Sequence, residues 1–467
     1  MKWFEWKKSV FDIAKREKKP ILLFISASWC HWCHTMDRLV YSDDKITEFI
    51  ASNFIPIRVD ATLRPDLNDR YNSGGYPTTL ILAHNGEPVW GSLYVSREHM
   101  LGFLKEGLDA FNEYKPCRPA AQKFSRSAVV DLEEEVFDLV RAFYDPQNKG
   151  FGLEPKFPHV DLLEFLVWRV LNGNDGESER MLKDTLHAMR SGEIFDSIGG
   201  GFFRYASQRD WSLPHFEKLL EDNARMLSIL INAYNIFEDS HFLDAANKVV
   251  FFLFTILYDK KKGVFVAGQV ADEDYCKLPF EGRISKRPSL DNALCTDSNA
   301  IAALAFLIAS DLEEEYESHA ERILNFLLKN AVKRGGVVHA TGGRVCLLRD
   351  AVFLLAGLVA MYSRSRKKAW LDGALKVASL LSRFEDKTDG GFFDVLPSNN
   401  LGRLAVKKKP LAENALAASV LMSLSRLSGN RSFSKKAYSA LEAITPIAER
   451  HAVRAVNYVI AVREVMG

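Results

Sequence analysis

Two rhythms divide the chain. Up to about residue 114, short apolar runs alternate with amphipathic stretches. Beyond it, apolar residues recur at helical spacing and strand-like alternation nearly vanishes. KKPILLFISASWC (18–30) reads as a basic helix end, an apolar strand and a turn. A strand apolar throughout is one buried on both faces, as in a sheet covered by helices. HTMDRLVYSDDKITEFIASN (34–53) keeps helical spacing through Met36, Leu39, Val40, Ile46, Phe49 and Ile50. FIPIRVD (54–60) is a second strand, and GGYPTTLILAHNGEPVWG (74–91) gives a strand, a turn at Asn85-Gly86 and an antiparallel partner. A helix over 96–114 closes the order β-α-β-α-β-β-α.

A Pro-marked linker, 115–121, follows, and the spacing then predicts twelve helices: 122–144, 160–171, 178–191, 216–237, 241–258, 298–309, 313–332, 348–363, 368–384, 412–427, 432–448 and 452–465. Breaks between them repeat their wording: NKGFGLEPKFP, IGGGFFRYAS, KKGVFVAG, RGGVVHATGG and DGGFFDVLP. Apolar helices that open LEDNA, CTDSNA, LLRDA and LAENA alternate with more charged ones, a degenerate repeat of helical hairpins. An open solenoid would leave the apolar helices facing solvent, whereas six hairpins closed into an (α/α)6 toroid bury them. The predicted architecture is an α/β domain over 1–114 followed by an all-α toroid over 122–467.

Composition narrows the function classes. Sixty-one basic against sixty acidic side chains leave a net charge of +1 over 467 residues, which offers no footprint for nucleic acid or an anionic membrane. VVFFLFTIL (249–257) falls short of the ~20 apolar residues that span a bilayer. The N-terminus lacks a signal-peptide pattern, so a soluble, cytoplasmic protein is expected. Of six cysteines only Cys30 and Cys33 are close in sequence; Cys117, Cys276, Cys295 and Cys346 read as buried thiols.

ASWCHWCHTM (27–36) concentrates the chemistry. Cys30, Cys33 and His34 satisfy a haem-attachment pattern literally, but a strand-to-helix turn is not a haem pocket. They also suit zinc by residue type, yet no second C-x-x-C or H-x-x-x-H completes four ligands, so neither metal nor cofactor is expected. The redox reading needs the first cysteine at a helix N-terminus, where free N–H groups and the dipole favour thiolate, and the turn places Cys30 there. Cys30 is the expected attacking thiolate, with Cys33 resolving; Trp32 between them tunes access.

The element order, W-C-x-x-C after the first strand and the G-Y-P-T opening the third resemble the thioredoxin fold, and that resemblance implies a cis Tyr76-Pro77 facing the dithiol. WCHWCH, RPDLNDRY (64–71), PKFP (155–158), GGGFFRYASQRDWSLPHFEKLLEDNARM (199–226) and the TDSNA and RDA helix starts extend the resemblance along nearly the whole chain. It is to the thioredoxin-domain family that includes spermatogenesis-associated protein 20, whose members join a thioredoxin-like domain to a toroid similar to N-acylglucosamine 2-epimerases and six-hairpin glycosidases. The chain departs from the family pattern at Ala61-Thr62-Leu63, Phe203, Asp297-Ser298-Asn299 and Asn414-Ala415-Leu416-Ala417, and the resemblance carries no catalytic role into the toroid.

Within the toroid, Arg204, Tyr205, Asp210, Trp211, His215, Glu217, Asp222 and Asn223 combine carboxylate, imidazole, guanidinium and aromatic groups suited to a small carbohydrate. Glu217 and Glu221 are expected on one helix face, and His215 at a helix start, suited to act as a base. Asp297, Asp350 and Glu413 head other inner helices. Asp and Asn at such positions are N-caps first, so each also has a purely structural reading. Three classes stand open: a thiol–disulfide oxidoreductase acting on a protein dithiol or disulfide through Cys30, Cys33 and Pro77; a sugar isomerase or epimerase; and a non-catalytic binding protein.

Overall fold

The computed structural model describes residues 1–116, 124–173 and 176–467. Cys117 and most of the expected linker lie outside the described residues. The chain forms two compact units, Met1–Lys123 with Pro397–Lys407, and Phe124–Leu396 with Lys408–Gly467.

The first unit runs α1 (Lys8–Glu17), β1 (Ile21–Ser26), α2 (His31–Leu39), α3 (Asp44–Asn53), β2 (Ile55–Asp60), α4 (Pro65–Tyr71), β3 (Thr78–Leu82), β4 (Pro88–Ser92) and α5 (Arg97–Glu113). Sheet order is β2-β1-β3-β4, with β1 parallel to β2 and antiparallel to β3. Every residue of β1 is buried, as its apolar run requires. The single helix expected over 34–53 is two, because the Asp43 carboxylate accepts from Ile46 N–H (3.2 Å) and caps a fresh start. Segment 397–407 returns to this unit: Arg403 N–H donates to the Tyr71 hydroxyl (2.8 Å), and Arg70 donates to the Val406 carbonyl (3.0 Å).

The second unit carries α6 (Glu133–Phe143), α7 (Val160–Asn172), α8 (Gly176–Ser191), α9 (Leu220–Phe237), α10 (Ser240–Phe252), α11 (Glu273–Cys276), α12 (Phe280–Ser285), α13 (Thr296–Ala309), α14 (Glu315–Asn330), α15 (Leu348–Ser365), α16 (Lys368–Leu381), α17 (Leu411–Ser428), α18 (Arg431–His451) and α19 (Val456–Met466). Helices α7, α9, α13, α15, α17 and α19 pack each on the next, and α19 packs back on α7. Around them α8, α10, α14, α16 and α18 each back their hairpin partner, and α6 backs α19. The ring is therefore closed, an (α/α)6 toroid. Among the described residues one helical stretch, Ser240–Leu257, is long and apolar enough to cross a bilayer by length and composition, and it packs on α9 as an outer element.

Two predicted boundaries move. Residues 216–219 are not helical: Lys218–Leu219 pairs as a strand with Gly268–Gln269, and α9 begins at Leu220. Residues 124–132 precede α6 without forming helix. The short α11 and α12 had no periodic signal.

The Gly-Phe breaks share one construction. Asp145, Asp196, Asp259 and Asp386 each accept, through Oδ1, the backbone N–H groups two and three residues on. A lysine neutralises each: Lys156, Lys218 and Lys409 at 2.8 Å, wholly buried, and Lys262 at 3.0 Å nearer the surface. An asparagine in the first turn of an inner helix then clamps a hairpin phenylalanine by both backbone groups. Asn223 holds Phe202, Asn299 holds Phe265 and Asn414 holds Phe392, all between 2.7 and 3.0 Å. These clamps fix the hairpins over the N-terminal ends of the inner helices.

Candidate functional site

In the first unit the chemistry sits on one turn. Cys30 is the N-cap of α2, and its sulfur accepts the Cys33 N–H (3.3 Å). A helix N-terminus places unshared N–H groups and positive dipole against that sulfur, which favours thiolate. The Cys33 thiol is pushed far up, first by its hydrogen bond to Cys30, then by burial and the Cys30 charge, with Arg58 pulling weakly the other way. Arg58 is itself held bidentate by Asp37 (2.9 and 2.5 Å) and donates to Ser26 Oγ (3.3 Å). Tyr76-Pro77 is cis. The Trp29 and Tyr76 rings meet edge to face at 5.1 Å, which sets the proline loop beside the dithiol turn. Trp32 is 50% exposed and leans on Tyr94 (5.4 Å), so it rims the turn, while both cysteines are buried.

The toroid sorts its eight predicted residues into two groups. Tyr205 stacks on His215 at 4.1 Å and on Phe157 at 4.8 Å; Arg204 pairs with Glu217 (3.5 Å), and its N–H donates to the Glu217 carbonyl. Burial lowers the His215 pKa, against the pull of Glu217. Burial and then Glu221 push the Asp222 carboxyl up to about 6, while Arg204 opposes them. Arg204, Tyr205, His215, Glu217 and Asp222 thus form one cluster. Glu217, lying before the helix, does not share a helix face with Glu221, and His215 does not start a helix.

Asp210, Trp211 and Asn223 fall outside that cluster. Asp210 is exposed and caps its own turn by accepting from Ser212 N–H and Oγ. Trp211 is 1% exposed; its indole N–H donates to the Asn148 carbonyl, and Lys156 lies 5.0 Å over its ring. It packs so closely on Gly150, at φ +77°, that a Cβ there would lie 2.4 Å from the ring. Trp211 is core, not a stacking platform. Asn223 spends its amide on the hairpin clamp, as do its counterparts Asn299 and Asn414.

The sequence reading set Asp297 and Glu413 at the heads of inner helices but missed the two arginines that join such acids into a ring of charge at the N-terminal ends of those helices. Arg225 of α9 pairs with Asp161, with Glu164 (2.8 and 2.5 Å) and at 4.0 Å with Glu221. Arg349 of α15 pairs with Glu221, with Asp297 of α13 (2.8 Å) and with Glu413 of α17 (3.6 Å). Burial works against the Arg349 charge, but the three carboxylates outweigh it and hold it well above its ordinary range. Five carboxylates face two guanidiniums, and Glu221 bridges the pairs. Such a set donates and accepts hydrogen bonds in many directions, as polyhydroxylated ligands require.

Behind Asp297 lie Cys295 and His339. One ligand atom from each of the three falls within 4.8 Å of the others. His339 Nδ1 donates to Asp350 Oδ1 at 2.9 Å. Apart from these, a groove of about 700 Å³ between the end of α10 and α12, lined by Phe251, Phe280 and Ile284 among others, contains none of the predicted site residues.

The family described as a thioredoxin DsbH protein of unknown function, DUF255, matches residues 1–116. An uncharacterized protein of Caenorhabditis elegans is 30% identical over 302 residues, 58% of this chain and 41% of that one. Spermatogenesis-associated protein 20 of Rattus norvegicus is 30% identical over 305 residues, 58% of this chain and 38% of that one. The chain spans about two fifths of the length of the curated relatives it matches. Among solved structures, cellobiose 2-epimerase from Spirochaeta thermophila aligns over 72% of this chain and 95% of its own with a TM-score of 0.59 at 12% identity. D-mannose isomerase aligns over 67% and 84% with a TM-score of 0.53 at 15% identity. At such identity the likeness is one of fold. Over 58% of its length the chain is thus similar to spermatogenesis-associated protein 20; residues 1–116 match the thioredoxin DsbH (DUF255) description, and the toroid after them has a fold like that of cellobiose 2-epimerase.

Proposed function

We propose that the chain is a thiol–disulfide oxidoreductase. The observation that carries this reading is the Cys30 sulfur accepting the Cys33 N–H at the start of α2, with the Cys33 thiol held protonated behind it. The Cys30 thiolate attacks a protein disulfide, forming a mixed disulfide and expelling one partner thiolate. Cys33 loses its proton, attacks the Cys30 sulfur and expels the second thiolate. Two electrons pass to the substrate, and a cellular dithiol must reduce Cys30–Cys33 again. A reducing cytoplasm suits that cycle.

A redox titration, following thiol alkylation by mass in glutathione or dithiothreitol buffers, tests it. A reversible two-electron midpoint between about −270 and −120 mV is expected. A pair that forms no disulfide in any buffer sinks the reading.

The charged ring favours a second reading, that the toroid binds a small carbohydrate. The Arg204, Tyr205, His215, Glu217 and Asp222 cluster supplies an aromatic face beside it, and the epimerase-like fold supports the idea. Calorimetry with mono- and disaccharides is the test. Saturable binding weakened at least tenfold by Glu221→Gln is expected, and no heat with any sugar rejects it.

A further inference from the structure

We propose that Cys295, Asp297 and His339 form a site for a divalent transition metal of the zinc class in the wall of the toroid. A soft thiolate, an imidazole and a carboxylate are the donor set zinc takes. Their ligand atoms already lie within 4.8 Å of one another, and Cys295 and His339 are each 3% exposed. Three protein ligands leave one position of zinc's usual tetrahedron to a water.

The backbone delivers these side chains independently of any ligand. Residue 295 bridges residue 340, Thr296 N–H donates to the His339 carbonyl (2.7 Å), and Thr296 Oγ1 donates to the Val338 carbonyl (2.6 Å). On the other side His339 N–H donates to the Val345 carbonyl (2.7 Å). The histidine is therefore pinned from both sides against the start of α13. Arg349 occupies Asp297 Oδ2, while Oδ1 lies 3.9 Å from His339 Nδ1.

Asp350 supplies the second, separate observation. Its Oδ1 meets His339 Nδ1, the carboxylate–imidazole pairing that orients metal-bound histidines. Its Oδ2 is wholly buried and has no hydrogen-bond partner, although a buried unpaired oxygen of this kind is costly. A cation beside the imidazole gives that oxygen a charge to face.

Cobalt(II) titration of the full chain carrying Cys30→Ser and Cys33→Ser, which removes the other thiol pair, is the experiment. One equivalent should bind with a thiolate-to-cobalt charge-transfer band and tetrahedral d–d absorption. Cys295→Ala and His339→Gln should each weaken binding at least tenfold with far-ultraviolet dichroism unchanged. In case those variants fail to fold, the same background chain is alkylated under mild denaturant. One equivalent of zinc(II) should protect Cys295, and chelation should expose it. Absence of stoichiometric cobalt uptake, binding unaltered in Cys295→Ala, or alkylation of Cys295 indifferent to zinc would each overturn the proposal.

Discussion

The two units organise chemistry in opposite ways. In the first, one turn of backbone does most of it: the N–H groups of α2 address one sulfur, with Arg58 and the Tyr76-Pro77 loop brought in from farther along the chain. In the second, the interesting charges come one or two from each of five inner helices and hold one another in place. Cys30 and Cys295 make the contrast plain, since both are N-cap residues. Cys30 turns its sulfur to the helix amides. Cys295 makes no such bond, and burial pushes its thiol up to about 11 despite His339 nearby. A helix N-terminus activates a sulfur only when the sulfur faces it. A local site can lose its function without losing its fold, whereas a distributed site is also part of the fold.

Substitutions sharpen or break this contrast. The largest effect expected is Cys30→Ser, which abolishes disulfide exchange in an insulin-reduction assay. Serine is a good N-cap, so stability should move by less than about 1 kcal/mol. A large loss of stability would erase the distinction between the units. Next comes Lys218→Met in the toroid. Asp196 then keeps only Arg283 as an ionic partner, and urea unfolding should show a loss of about 3 kcal/mol. Asn299→Ala strips both backbone groups of Phe265 of their partner and should cost about 2 kcal/mol by the same measurement. A neutral result there would mean the repeated clamps are not what holds the hairpins.

The smallest effect concerns Asp222. Its carboxyl titrates near 6 in the folded chain against an ordinary 3.8, so the fold binds this proton more tightly than the unfolded chain does. The stability it contributes is present at pH below 4 and is lost as pH rises through 6. Asp222→Asn should raise Tm at pH 7 by about 2 °C and leave it unchanged at pH 4. A raised Tm at both pH values would assign the gain to packing instead.

The same contrast explains what could be read from the chain. WCHWCH is contiguous, and each residue's role follows from the turn it opens. The twelve helices that close the ring were also visible, unlike α11 and α12, because an apolar face repeats every turn and the breaks repeat their glycines. The ring of charge was harder. Glu221, Asp297 and Glu413 looked like capping acids, each sensible alone. A signal was present in register: LED, TDS, LRD and LAE place Arg349 where Glu221 and Asp297 stand, an inverted charge that only ring closure explains. Trp211 misled because nothing in its own neighbourhood announces that Gly150 and Gly192 leave room for it inside. His339 and Cys295 lie far apart in the chain, on a break and at a helix start, so no spacing rule joins them.

The sixth pair of the toroid is made from its first and last helices, α6 and α19. A stack of repeats can lengthen or shorten by one unit and still present the same ends. A closed ring cannot: a seventh hairpin would change its diameter, and a lost one would open it. Copy number is therefore locked, and the freedom to diversify passes to what hangs from the ring, such as the α11–α12 arm.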